Sequence, residues 1–99
     1  MDQQVRAATT ADAGWINQEL DWINAQRQLA HSLPDDGTKF VLLADLAMRE
    51  AMCWEEQFER AKSRLQWRAA LSAREFSLRR ANYWQARATS LGLEWGAAA

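Results

Sequence analysis

From Thr38 to Leu91 the chain contains neither Gly nor Pro. Ala, Leu, Arg, Glu, Gln and Met dominate this stretch, and all are strong helix formers. At ~1.5 Å of rise per residue, one unbroken helix over that length would be roughly 80 Å long. A chain of 99 residues makes no globule of that diameter. The stretch therefore either finds a partner along its length or breaks. With one Pro and four Gly in the whole chain, an all-β or α/β fold lacks the turns it needs. The chain reads as all-α.

Residues 1–9 carry no periodic pattern and read as a flexible arm. A first helix is expected from Thr9 or Thr10, with Asp12 near its positive end, to about Ser32 or Leu33. Ile16, Leu20, Ile23 and Ala30 share one side of it. Trp15, Trp22, Leu29 and Leu33 share an adjacent side, about a quarter-turn away. The combined apolar arc is too wide for one neighbour and predicts contact with two helices. Leu33-Pro34-Asp35-Asp36-Gly37 is a turn, because Pro ends a helix and Asp and Gly tolerate turn conformations. Its length implies an antiparallel hairpin, with Thr38 as N-cap of the next helix.

Along the long stretch one apolar stripe holds its phase: Phe40, Leu43, Ala47, Ala51, Trp54, Phe58, Ala61, Leu65, Ala69, Phe76 and Tyr83. A weaker one (Leu42, Leu46, Cys53, Trp67, Leu71, Leu78) lies about a third of a turn away. Asp45–Arg49, Glu56–Arg60 and Glu75–Arg79 are spaced as favourable pairs on an exposed face. One pattern argues for a break: Ser72-Ala-Arg-Glu75 matches a capping box, with Leu71 and Phe76 as its hydrophobic staple. The fold expected is a helical hairpin whose second helix spans about 38–91, dimerising into a helical bundle. The alternative is a three-helix bundle broken near Ser72. Residues 10–91 then form a single helical domain, and 92–99 a flexible tail after Gly92, a natural helix C′ residue.

Length makes the dimer argument. A first helix of about 23 residues covers roughly 35 Å, enough to reach from Phe40 to about Leu65 and no further. Phe76, Leu78, Tyr83 and Trp84 would then need another chain, because large exposed apolar patches are rare on soluble monomers. Charge points the same way. Residues 1–59 hold four basic and eleven acidic groups, a balance of −7, and residues 60–99 hold eight basic and two acidic, a balance of +6. Such asymmetry suits intersubunit attraction or an anionic partner.

Catalytic and metal chemistry have little to stand on. Cys53 and His31 are the sole Cys and His, and a nucleophile–base pair from them has no accompanying Gly-rich turn. Cys53 reads as a small buried apolar residue. His31 with Asp35 and Asp36 lacks the further ligands of a zinc site. Glu55, Glu56 and Glu59 lack the Glu-x-x-His motif of a di-metal bundle, and no phosphate-cradling Gly loop is present. No catalytic, metal or cofactor-binding residue is expected. One Cys suits a reducing compartment. The N-terminus lacks a signal-like apolar region, and no apolar run is long enough to span a membrane. A cytoplasmic location with no membrane partner is the expectation.

Two binding readings remain. Trp and Arg are over-represented at protein interfaces, and six Trp is a large share for this length. Trp15, Trp22 and Trp54 read as core. Trp67, Phe76, Arg79, Arg80, Tyr83, Trp84, Arg87 and Trp95 read as a partner-binding set, with Trp84 and Trp95 foremost. The function expected is that of a non-enzymatic interaction module, self-associating as a homodimer and acting as an adaptor or inhibitor by binding a protein. Its size and class match small phage and mobile-element proteins of that kind. The alternative is nucleic-acid association through Arg60, Arg64, Arg68, Arg79 and Arg80, interleaved with aromatics that can stack bases.

Overall fold

The computed structural model describes residues 2–92, with side chains described from Gly14 onward. Three α-helices follow in order: α1 (Asp2–His31), α2 (Gly37–Glu59) and α3 (Arg64–Ser90). No strand occurs among the described residues. The molecule is 52 Å in its longest dimension, far shorter than an unbroken helix over 38–91 would require.

The turn at Pro34 forms as its composition predicts. α1 is helical from Asp2, ahead of the start expected near Thr9 or Thr10, and ends at His31. The N-cap of α2 is Asp36 rather than Thr38. Asp36 adopts an extended backbone and its carboxylate accepts a hydrogen bond from the Lys39 backbone N–H at 3.1 Å. That gives one of the four free donors of a helix start its acceptor. The side chain of Lys39 does the converse job for α1. Its buried ammonium donates to the carbonyls of His31 and Leu33 and to Asp35 Oδ1 at 2.7 Å. The bond to Lys39 holds the Asp35 carboxyl below its usual value.

The single helix expected over 38–91 is two helices, and the break is at Arg60–Ser63, not near Ser72. α2 closes with the Arg60 N–H donating to Glu56 and Gln57 carbonyls. Ser63, in extended conformation, accepts from the Gln66 N–H at 3.1 Å, and the Gln66 side chain accepts from the Lys62 N–H at 2.9 Å. This is a variant of the Ser-x-x-Gln capping box in which the Gln66 side chain reaches the N–H one residue before the cap. It ends one helix and starts the next without Gly, Pro or Asn. Ser72 lies inside α3 and is exposed. At the far end, Gly92 takes φ 84°, the left-handed conformation that its place after the helix called for.

Breaking at residues 60–63 changes which face of α3 is buried. In α2 the early members of the long stripe, Phe40, Leu43, Ala47 and Ala51, are buried as expected. In α3 the continuation of that stripe, Leu65, Ala69, Phe76 and Tyr83, is exposed. α3 instead buries Ala70, Ser77, Ala81 and Ala88. Small residues let two helix backbones come close, and this face packs along α2.

α1 packs on a neighbouring face of α2 through a cluster of Ile16, Ile23, Leu46 and Cys53, with Leu20 against it. Its wide arc does not contact two helices. Ile16, Ile23 and Ala30 are buried, whereas Trp15, Trp22 and Leu29 are 42%, 43% and 62% exposed. Helix contacts run α1 to α2 and α2 to α3. α3 meets α1 only on its Arg27 and His31 side, so no second helix covers that row. Of the three ion pairs expected within helices, Glu56–Arg60 forms. Arg49 turns away from Asp45 to pair with Glu19 of α1 at 2.7 Å, lying over the Trp22 ring.

Candidate partner-binding groove

One carboxylate ties the three helices together. Glu50 sits within the apolar arc of α2 and is buried. Ser77 of α3 donates to its Oε1 at 2.7 Å, and the Arg80 guanidinium lies 3.5 Å from the same oxygen. From α1, Arg27 Nη2 approaches Glu50 Oε2 at 3.2 Å. That Nη2 is buried and makes no aligned hydrogen bond, so its contact with Glu50 is an ion pair alone. A buried carboxylate needs such partners, because an uncompensated buried charge is expensive.

Above this tie, α1 and α3 flank a groove of about 460 Å³. α1 contributes Arg27 and His31, and α3 contributes Phe76, Arg79, Arg80, Tyr83 and Trp84. The α3 residues repeat at helical spacing, which places them along one wall. Trp84 anchors the closed end. Its ring stacks on Phe40 of α2 at 5.6 Å and meets His31 edge-on at 5.7 Å and Tyr83 at 4.9 Å. Arg87 lies over Phe40 at 4.7 Å and donates to the Tyr83 hydroxyl at 3.3 Å. Arg80 lies over the Phe76 ring at 4.9 Å. Phe76 and Tyr83 nevertheless remain 59% and 54% exposed.

Six of the eight residues expected to bind a partner thus come together, five lining the groove and Arg87 beside it. Trp84 is half-buried and serves mainly to hold the helices together. Trp67 is apart from them, packed on Phe58 at the α2–α3 corner. Trp95 lies outside the described residues. The sequence did not single out Arg27 or Glu50, and His31, with no case for a catalytic or metal role, read as a solvated helix end. Glu50 offered a signal, being a carboxylate at a position whose helical neighbours Leu43, Ala47 and Trp54 are apolar. Arg27 and His31 enter only because α1 lies beside α3 across α2.

The five arginines of the nucleic-acid reading do not form one row. Arg60 closes α2 and pairs with Glu56. Arg64 and Arg68 follow the break, on a different helix, and Arg80 turns inward to Glu50. The Trp15 and Trp22 assignments to the core are corrected by their exposure. Their rings lie on the flank of an arc whose other flank satisfies the contact with α2.

Cys53 is buried in the α1–α2 cluster. Burial pushes its thiol up to about 11, with Glu19 and Glu50 adding to the shift and Arg49 opposing it. A thiol so raised carries almost no nucleophilic thiolate near neutrality. His31 packs against Trp84 instead. Among the described residues, no group of three His, Cys, Asp or Glu is placed to hold a metal ion. No helix there is long and apolar enough to cross a membrane. The groove brings together three guanidiniums, an imidazole and partly open aromatic rings beside the ion-paired Glu50 carboxylate.

A scan against protein-family models, a search of curated proteins and a search of solved structures each found no match to this chain.

Proposed function

We propose that this chain is a non-enzymatic helical interaction module that self-associates and acts, as an adaptor or inhibitor does, by binding another protein. A reducing, cytoplasmic setting fits its single buried thiol. The observation that carries the reading is the outer row of α1. Trp15, Trp22 and Leu29 recur every seven residues and stand open on a helix whose other apolar face is fully engaged. Two Trp and a Leu in line on a folded helix form the kind of patch that soluble proteins rarely leave uncovered. Seven-residue spacing keeps a row in register with a facing helix.

A second copy of α1 suits this row. Antiparallel pairing about Trp22 sets Trp15 of each copy opposite Leu29 of the other. The flanking Gln18, Ala25 and Gln26 carry no charge, and Glu19 is already paired with Arg49. The need for a dimer that an unbroken 38–91 helix would have created is gone, and the α1 row takes its place as the reason for one.

Light scattering coupled to size exclusion tests self-association. At tens of micromolar the wild type is expected at twice its 11.3 kDa mass. Trp22→Glu, with an unchanged circular dichroism spectrum, is expected at the monomer mass. A wild type that elutes as a clean monomer removes the self-association half of the proposal.

A further inference from the structure

We infer that the groove between α1 and α3 receives an acidic amphipathic helix from a partner protein, its carboxylates meeting the exposed Arg79 and its apolar side chains meeting Phe76 and Tyr83. The inference deepens the reading of the chain as a binding module and rests on it.

Charge supplies the first argument. The walls hold Arg27, Arg79 and Arg80 with His31 and no carboxylate, and Glu50, which does not line the groove, is already engaged by Ser77, Arg80 and Arg27. Arg79 is exposed and forms no ion pair or hydrogen bond among the described residues. Glu75, one turn earlier and well spaced to pair with it, does not come within ion-pair distance. An unneutralised guanidinium on the rim of an apolar groove is a site for a carboxylate, to which it offers a planar two-pronged fork.

Shape supplies the second. α1 and α3 pack on neighbouring faces of α2 with their backbones apart, touching through His31 and Trp84, which leaves a channel between the two helices. A fourth helix laid there completes a four-helix bundle. Phe76 and Tyr83 are seven residues apart on α3, about 10 Å along its axis at ~1.5 Å per residue. That interval matches the i and i+7 anchors with which a helical segment seats its apolar face in a groove.

The aromatic rings favour a peptide over a nucleic acid. Arg80 lies over the face of Phe76 and Arg87 over that of Tyr83. Each guanidinium takes one face of its ring, which leaves at most one face of each for a stacked base, whereas aliphatic side chains also pack against ring edges.

Fluorescence anisotropy provides the test, using the full chain and three labelled ligands. One is a helical peptide of about 18 residues with Leu and Phe on one face and Glu on its flanks. The second carries Lys in place of Glu, and the third is a single-stranded DNA oligonucleotide. The Glu peptide is expected to bind saturably at micromolar concentration, at least about tenfold tighter than the Lys peptide and tighter than the DNA. Arg79→Glu, an exposed substitution, is expected to weaken it about tenfold and to flatten its salt dependence, as loss of a rim charge does. Tyr83→Ala is expected to weaken it without changing the salt dependence. Equal binding of the two peptides, DNA binding as tight as the Glu peptide, no binding at all, or indifference to Arg79→Glu each overturns the inference. If that happens while Trp22→Glu still dissociates a dimer, the groove assignment fails and self-association stands.

Discussion

α2 is held on two sides, and the two seams are made differently. Toward α1 it meets branched apolar side chains, Ile16 and Ile23, with its own Leu46 and Cys53 in the same cluster. Each such side chain, fully buried, is worth about 1.5–3 kcal/mol, and the seam gains its strength from few large residues. Toward α3 it meets a row of small residues, Ala70, Ser77, Ala81 and Ala88, with the Phe40–Trp84 and Phe58–Trp67 ring pairs toward its two ends. Strength there comes from close approach along the whole length of the helices and from the Glu50 tie. The large apolar residues left over from the small-residue seam, Phe76 and Tyr83, are displaced to the groove. Economy at one contact face thus exposes recognition chemistry at another.

Glu50 is where this contrast breaks most severely, because it serves both seams. Glu50→Ala leaves Arg27 buried without a counter-charge and Ser77 without its acceptor. Removal of one member of a buried ion pair costs about 3–5 kcal/mol, and urea denaturation is expected to show a loss in that range. Glu50→Gln, which retains an acceptor for Ser77, is expected to lose less. Equal losses in the two variants would mean that the acceptor for Ser77 contributes nothing and that the tie rests on charge alone.

The seams themselves respond with opposite sensitivities. Ala81→Leu forces bulk into the close α2–α3 face and is expected to cost about 1–3 kcal/mol by strain. Ile23→Val removes a single methylene from the α1–α2 cluster and is expected to cost about 0.5–1.5 kcal/mol. Chemical denaturation of both variants orders them. A neutral Ala81→Leu would show that the small residues do not set the helix separation.

Much of this architecture is legible in the residues, and the misses have definite causes. Helix content, the Pro34 turn and the buried row Ile16, Ile23 and Ala30 follow from composition and period. So does the cluster at Phe76, Arg79, Arg80 and Tyr83, because residues close along one helix stay close in any fold. Periodicity locates an apolar arc but does not say which flank faces inward. For that reason Trp15 and Trp22 read as core although they are exposed. Trp84 reads as a surface residue because its partners, Phe40 and His31, lie on other helices. The groove as a whole, with Arg27 on its far wall, depends on where the chain folds back.

That fold-back is the decisive point, and two serines compete for it in the sequence. Ser63 with Gln66 and Ser72 with Glu75 are both spaced as capping boxes, and neither has a Gly or Pro to mark it. Helix composition continues through both. What separates them is the face each would bury: a break at Ser63 sets Ala70, Ser77, Ala81 and Ala88 on one side of a helix 27 residues long. A break at Ser72 would forfeit the first turns of that seam. The difference has a sign that can be measured. Ser63→Ala removes the acceptor for the Gln66 N–H and is expected to lower stability by about 1 kcal/mol. Ser72→Ala, on the exposed face inside α3, replaces a middling helix former with the best one. It is expected to raise stability by a few tenths of a kcal/mol, roughly the difference in helix propensity. Thermal and urea denaturation of the two variants should therefore move in opposite directions, and a reversal of those signs would move the break, and with it the groove, to Ser72.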